Sequence, residues 1–401
     1  MKKLIVLLVL MSHIMIAQAQ PRGKRREVQV GAARLQAYLP LLKGKRVALL
    51  VNYTATVGET HLVDTLLKRG VNIKKIFSPE HGFRGTADAG EKVDNTKDAA
   101  TGLPIVSLYG KHRKADANDL KDVDIIIFDI QDVGVRFFTY ISSLQELMES
   151  AAQYKKQVIV LDRPNPNGMI IDGPILDTAF RSFIGMQPIP VSHGMTVGEY
   201  ARMLNGEKML AKKAKCKLTV IPMQYYSHDY PYYLPLKPSP NLPNQRSVEL
   251  YASICFFEGT VFSLGRGTDK PFQVFGHPAL PKNLFSFTPR SVPGAKNPPL
   301  LDQTCYGFDL SADTLDIRKE LNGKLRLEWL ITAYKMYPEK DKFFIPFFSK
   351  LAGNNILQQQ IEKGMTEDEI RATWEPGLKK FKAIRKKYVL YADNILPAGA
   401  I

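Results

Sequence analysis

Residues 124–136 read Asp124-Ile-Ile-Ile-Phe128-Asp129-Ile-Gln-Asp132-Val-Gly-Val-Arg136, and this stretch decides the fold class. Its apolar half does not alternate with polar residues. A continuous apolar run of this length is the pattern of a strand covered on both faces, as helices cover a parallel sheet. On either side of it, Val47-Ala-Leu-Leu-Val51 and Gln157-Val-Ile-Val-Leu161 repeat the pattern. Val71 to Phe77 and Pro104 to Leu108 supply two more strands. Helical periods lie between them. Leu62, Leu66 and Leu67 share one face near 60–69, and Phe138 to Tyr154 forms a long helix. Thr196 to Leu204 opens on Thr196 with Glu199 three residues later, the reciprocal cap of a helix start. This alternation predicts an α/β fold with a Rossmann-like parallel sheet.

After about residue 215 the pattern changes. Met223 to Arg246 is rich in Tyr and Pro and has no period, and an irregular stretch that long is usually functional. Ser247 to Phe257 reads as helix, Gly259 to Pro289 as short strands and turns, and 326–336, 367–374 and 376–388 as amphipathic helices. The expected organisation is a Rossmann-like catalytic domain over 31–215 and a smaller α+β C-terminal domain over 216–401. Ahead of both, Lys2 and Lys3 precede the apolar run Leu4 to Leu10, and Ala17-Gln18-Ala19 offers a small-x-small cleavage site. That is a signal peptide over 1–19, followed by a basic arm over 20–30. Export to the periplasm is expected. No other segment approaches the ~18 consecutive apolar residues of a membrane span.

The 401 residues are 45% apolar and 23% charged, which excludes a disordered or fibrous chain. The formal charge of +16 favours anionic partners, and export argues against nucleic acid. Much of the excess sits in Arg22 to Arg26 and in Lys379, Lys380, Lys382, Arg385, Lys386 and Lys387, both of which read as solvated faces. Cys216, Cys255 and Cys305 match no zinc or redox spacing; one disulfide with a free thiol, or three buried thiols, are both compatible. No CxxC, HExxH, GxGxxG, Walker A, GxSxG or SxxK motif occurs, so neither a metal nor a cofactor is expected.

In an open α/β sheet, ligands bind beyond the carboxyl ends of the strands. The polar residues there are Asn52 and Thr54; Glu80, His81 and Arg84 within Ser78 to Gly85; Asp129, Asp132 and Arg136; and Asp162, Arg163 and Asn165. Later polar clusters hold His193, Asn241, Glu258 and Arg266. Each has a plain alternative. Asp162 and Arg163 suit a structural ion pair, Asp129 suits a loop cap, His81 suits a packed histidine, and Glu258 suits an exposed turn. Glu80 lies between Pro79 and His81 on a glycine-containing strand-end loop and has no evident capping task. Carboxylates, amides, arginines and many aromatics together suit a carbohydrate site, where glycoside hydrolysis asks for two carboxyl groups across the scissile bond.

Four blocks carry a resemblance: Ser78-Pro-Glu-His-Gly-Phe-Arg-Gly85, Phe128 to Tyr140, Leu161-Asp-Arg-Pro-Asn-Pro166 and Phe257-Glu-Gly-Thr260. They resemble the signature blocks of a bacterial family long catalogued as a domain of unknown function and now known as NamZ-type exo-β-N-acetylmuramidases. The likeness runs from about Gly31 to the C-terminus. It implies release of N-acetylmuramic acid from the non-reducing end of peptidoglycan-derived glycans or muropeptide fragments, in a cleft between a Rossmann-like domain and a smaller one. Within that reading Glu80 is the general acid/base. The second role falls to Asp129, Asp132 or Glu258, or to the substrate's own acetamido oxygen, and Arg84, Arg136 and Arg266 are candidates for the lactyl carboxylate. Asn52, His81, Asp132, Asp162, Arg163, Asn165, His193 and Asn241 complete the candidate substrate site. Two other classes compete: a metal-dependent phosphoester hydrolase using Asp129, Asp132 and Asp162, and a non-catalytic periplasmic muropeptide-binding protein.

Overall fold

The structure, a computed structural model, describes residues 26–80, 82–83, 96–229, 231–312 and 317–393. The expected signal peptide and most of the basic arm lie outside these residues, as do His81 and Arg84. The end of the arm is docked: Gln29 exchanges backbone hydrogen bonds with Gln224, and Arg26 donates to the Tyr225 hydroxyl.

The elements run α1 (Leu35–Leu42), β1 (Val47–Val51), α2 (Leu62–Lys68), β2 (Ile73–Ser78), β3 (Thr96–Lys97), β4 (Pro104–Ser107), β5 (Ile125–Asp129), α3 (Tyr140–Gln153), β6 (Gln157–Leu161), α4 (Val197–Gly206) and β7 (Lys217–Ile221). The seven strands form one sheet in the order β7-β6-β5-β1-β2-β4-β3, parallel except for β3. β1 and β5 are in register from Val47 opposite Ile125 to Val51 opposite Asp129. Successive side chains point to opposite faces. Leu49, Val51 and Ile127 pack with Tyr38, Leu42, Leu62 and Leu66 on one face. Ala48, Leu50, Ile126 and Phe128 pack with Leu144, Met148, Tyr200 and Leu204 on the other. Burial of both faces is why these strands lack alternation.

β7 lies past the expected boundary at 215/216 and pairs with β6 along its length, so the sheet extends to Ile221. Beyond it come α5 (Gln245–Ile254), the antiparallel strands β8 (Val274–His277), β9 (Phe285–Phe287) and β10 (Cys305–Asp309), then α6 (Glu328–Met336) and α7 (Glu367–Arg385). The two predicted helices at 367–374 and 376–388 are one: α7 passes through Pro376, which is exposed, while Arg371, Trp374, Leu378 and Phe381 keep a continuous buried stripe. Its basic residues are not all solvated: Arg385 is buried and pairs with Asp393. Phe256, Phe257, Phe348 and Phe381 belong to the same core as α3 and α4, so this smaller α+β part shares one core with the helices on that face of the sheet. All three cysteines are free and buried. No helix among the described residues is long and apolar enough to cross a membrane.

The chain moves from β1 outward through β2 to β4, then returns to β5 on the other side of β1. The strand order reverses there, and the crevice beyond a reversal is where open α/β sheets bind ligands.

Candidate active site

A cleft of about 300 Å³ opens at this end of the sheet. Its volume is on the scale of one substituted sugar. Glu80 follows β2, Tyr109 and Arg113 follow β4, and Phe137 to Tyr140 lead into α3. The smaller part supplies Ser239, Asn241, Tyr251, Glu258, Arg266 and Phe272. Tyr140, Phe138, Tyr251 and Phe272 form a connected aromatic wall, with successive ring centroids 5.0, 5.7 and 5.0 Å apart. Such rings offer flat apolar area to a sugar face.

Among the described residues two carboxylates line the cleft, and their surroundings differ. Glu80 takes a hydrogen bond from the Tyr109 hydroxyl at 2.9 Å and one from the Thr139 hydroxyl at 3.2 Å, one on each oxygen. A hydroxyl can donate to a carboxylate and accept from a carboxylic acid, so both partners can follow a change in protonation. Burial, and then the charge of Glu80, push the Tyr109 phenol above its ordinary pKa, so Tyr109 keeps its proton. Glu258 sits on the turn after α5. The Arg266 guanidinium donates to its Oε1 from Nε at 2.9 Å and Nη2 at 2.5 Å, and the Cys255 thiol lies 3.7 Å from Oε2. Arg266 in turn covers the Phe272 ring at 5.0 Å.

Several expected site residues stand behind the cleft instead. Asp129 is fully buried and takes both arms of the Arg163 guanidinium, at 2.5 and 2.8 Å. It is not placed to act as a nucleophile. Asn52 donates to the Tyr140 hydroxyl and accepts from Thr54, so it orients a wall residue from below. Asp132 accepts from Gly134 N, and burial raises its pKa to about 7. Gly134 is fixed by geometry: its φ is +75°, and a Cβ there would lie 2.2 Å from the Asn165 side chain. Asn165 braces that contact from a bond to Met195 O.

Arg136 is the clearest correction. It is 1% exposed and gives its guanidinium to four backbone carbonyls, those of Pro174, Ile189, Leu351 and Ala352. It ties the segment after β6 to the C-terminal helices and is not available to a substrate carboxylate. Asp162 is fully buried, accepting from Thr196, Gly198 N and Tyr391, and burial raises its pKa to about 7. His193 is equally buried, accepts from Met195 N, and is driven down to about 3 by burial. Both build the junction with α4 and α7, not the cleft. The structure therefore brings together Glu80, Asn241, Glu258 and Arg266 from the expected set.

Sequence reasoning missed Tyr109, Arg113, Thr139, Tyr140, Phe183, Tyr251 and Phe272 as lining residues. The signal was present for two of them. Tyr109 and Arg113 directly follow a predicted strand, where the strand-end rule applies as it does after β2 and β5.

Sequence profiles described as the N-terminal and C-terminal parts of the exo-β-N-acetylmuramidase NamZ match residues 47–246 and 249–391. The chain belongs to the NamZ family. A Bacillus subtilis (strain 168) relative described as the peptidoglycan β-N-acetylmuramidase NamZ is 37% identical over 416 residues, spanning 96% of this chain and 97% of its own. Two crystal structures of DUF1343 family proteins from Bacteroides fragilis share the fold. One is 48% identical with a TM-score of 0.85 over 92% of this chain and 100% of its own. The other is 28% identical with a TM-score of 0.76 over 91% and 99%. In NamZ terms, the two matched segments meet at 246/249, next to the start of α5. The cleft takes Glu80 from the N-terminal segment and Glu258 from the C-terminal one.

Proposed function

We propose that the chain cleaves N-acetylmuramic acid from the non-reducing end of peptidoglycan-derived glycans, with Glu80 as general acid/base and Glu258 as the second carboxylate. Family membership makes it a glycoside hydrolase, a peptidoglycan β-N-acetylmuramidase. The observation that carries the residue assignment is that Glu80 and Glu258 both line the sugar-sized cleft, while Asp129 is engaged by Arg163. Glu80 protonates the leaving oxygen as the glycosidic bond breaks, and as base it recovers that proton from the water whose oxygen ends on the anomeric carbon. Glu258 faces the positive charge that grows on the anomeric carbon and orients the acetamido group there. The N-terminal pattern of Lys2-Lys3, an apolar run and Ala17-Gln18-Ala19 supports export, and cell-wall fragments lie where an exported enzyme meets them.

The lactyl carboxylate needs a cation. Arg84 lies outside the described residues, Arg136 is spent on carbonyls, and Arg266 is forked onto Glu258. Arg113 lines the cleft from an exposed loop, with its guanidinium 4.4 Å over the Phe183 ring, and takes this role. The metal-dependent alternative asks Asp129, Asp132 and Asp162 to converge. Among the described residues they form no such group, and Asp129 and Asp162 are committed to partners within the fold.

Purified protein is expected to release para-nitrophenol from the β-N-acetylmuramide, equally with and without chelator, and not from the β-N-acetylglucosaminide. Binding of the muramide without release would leave the non-catalytic reading in its place. Tyr109→Phe removes one donor from Glu80 and no apolar contact. Its kcat is expected to fall about tenfold with KM little changed, the pattern of a group acting only in the transition state. A change confined to KM would make Tyr109 a binding residue only.

A further inference from the structure

A second concavity, a groove of about 750 Å³, adjoins the cleft. Arg113 and Phe183 line both, so the groove begins where the lactyl group is read. Its walls are the Gln145, Glu146 and Glu149 side of α3, the loop around Arg181 and the segment after α4. Among the described residues five cations line it: Arg113, Arg181, Lys208, Lys212 and Lys213. Two carboxylates do too, Glu146 and Glu149, but both are paired with Lys114, which stands outside the groove lining. Glu149 also accepts from Gln145 at 2.9 Å and from Ala211 N at 3.1 Å, which pins the lysine-bearing segment to α3. The acidic groups are thus committed to the fold. Among the described residues Arg181, Lys208, Lys212 and Lys213 make no ion pair, and all four are exposed.

The backbone that carries the lysines is sharply turned. Lys208, Lys212 and Lys213 have φ of 55°, 54° and 56°, the left-handed region that L residues other than Asn and Asp seldom visit. Three like charges within six residues repel one another. The resulting field reaches roughly one Debye length, about 10 Å at 0.1 M salt, which covers the groove. A groove of this sign, continuous with a cleft for one sugar, suits an anionic extension of that sugar.

Resting on the activity proposed above, we propose that this groove binds substrate carboxylates lying beyond the released N-acetylmuramic acid. Two sources share that chemistry. A peptide stem on the released sugar converts the lactyl carboxyl to an amide and carries its charge further out, on side-chain and C-terminal carboxylates. A peptide-free strand carries a lactyl carboxylate on its next N-acetylmuramic acid. In either case the enzyme reads more than the sugar it removes, and an extended substrate is preferred over a minimal one.

The test compares three substrates: para-nitrophenyl β-N-acetylmuramide, N-acetylmuramyl-N-acetylglucosamine carrying an acidic tripeptide stem, and the peptide-free tetrasaccharide of two such disaccharides. Wild type is set against Lys208→Glu/Lys212→Glu/Lys213→Glu and, separately, Arg181→Glu. The readout is the ratio of kcat/KM for each extended substrate to that for the aryl muramide. Charge reversal on this rim is expected to lower one ratio at least tenfold, and raising salt from about 50 to 500 mM is expected to lower it in wild type but little in the triple variant. Loss for the stem-bearing substrate assigns the groove to the stem, and loss for the tetrasaccharide assigns it to the strand. Both ratios unchanged, with the aryl muramide still cleaved, overturns the groove and leaves the activity standing. No cleavage of any of the three by wild type overturns the activity instead. Arg181→Glu lies on a different loop, so a shared loss in both variants cannot come from misfolding of the lysine segment.

Discussion

Glu80→Gln is expected to lower kcat on the disaccharide N-acetylmuramyl-N-acetylglucosamine by roughly 10²–10⁴-fold, the range of a lost general acid. The reason is local. Glutamine keeps the size of the side chain and can still bond Tyr109 and Thr139, so the cleft keeps its shape. Only the transferable proton is lost. A sugar alkoxide leaves poorly without that proton, whereas para-nitrophenolate leaves well. The loss on the aryl muramide is therefore expected to be smaller than the loss on the disaccharide. Glu258→Gln gives the contrasting pattern. It removes the charge facing the anomeric carbon and leaves the Arg266 guanidinium without its counter-charge, so it is expected to slow both substrates alike. Equal losses from Glu80→Gln on the two substrates would remove the acid role from Glu80. Near-normal turnover by folded Glu80→Gln protein would remove it from the chemistry altogether.

This asymmetry between two carboxylates was only half legible in the sequence. The sheet was readable because β1, β5 and β6 are covered on both faces and so carry unbroken apolar runs. β7, Lys217-Leu-Thr-Val-Ile221, was not, because an edge strand that is mostly half-buried mixes polar and apolar residues. α1 was missed because it is one short helix with Pro40 inside it. The strand-end rule located the right end of the sheet but could not say which polar side chains face outward. At that end, Glu80 faces the cleft, while Asp129 and Asp162 turn inward to hold loops together. The same residue types serve both tasks, since a buried loop needs acceptors for its N–H groups as much as a ligand needs partners. Glu258 and Arg266 come from a different part of the chain, and only the folded core that joins α5 to α3 brings them into one cleft with Glu80. Arg136 shows the cost of reading a motif residue as functional by its charge. Its block leads into the cleft, yet the guanidinium points away and closes the gap between four carbonyls.

The pair beneath the cleft gives the largest expected effect on stability. Arg163 and Asp129 are 6% and 0% exposed, and Arg163 also donates to Thr56 O at 3.1 Å. Removing one partner of such a pair leaves a buried charge without its counterpart, which costs about 3–5 kcal/mol. Arg163→Ala is expected to lose that much in urea unfolding, with a matching fall in midpoint. Arg163→Met/Asp129→Asn removes both charges and keeps most of the volume, so it is expected to recover a large part of the loss. The single changes Arg163→Met and Asp129→Asn would then be far from additive, as changes at contacting residues usually are. The catalytic readout separates this from chemistry at Asp129. The double variant still lines the cleft with Glu80 and Glu258, and it is expected to retain kcat within about tenfold, whereas loss of a nucleophilic carboxylate would abolish turnover far beyond that. An unchanged urea midpoint for Arg163→Ala, with activity lost in both variants, would move Asp129 from the scaffold into the reaction and displace Glu258 as the second carboxylate.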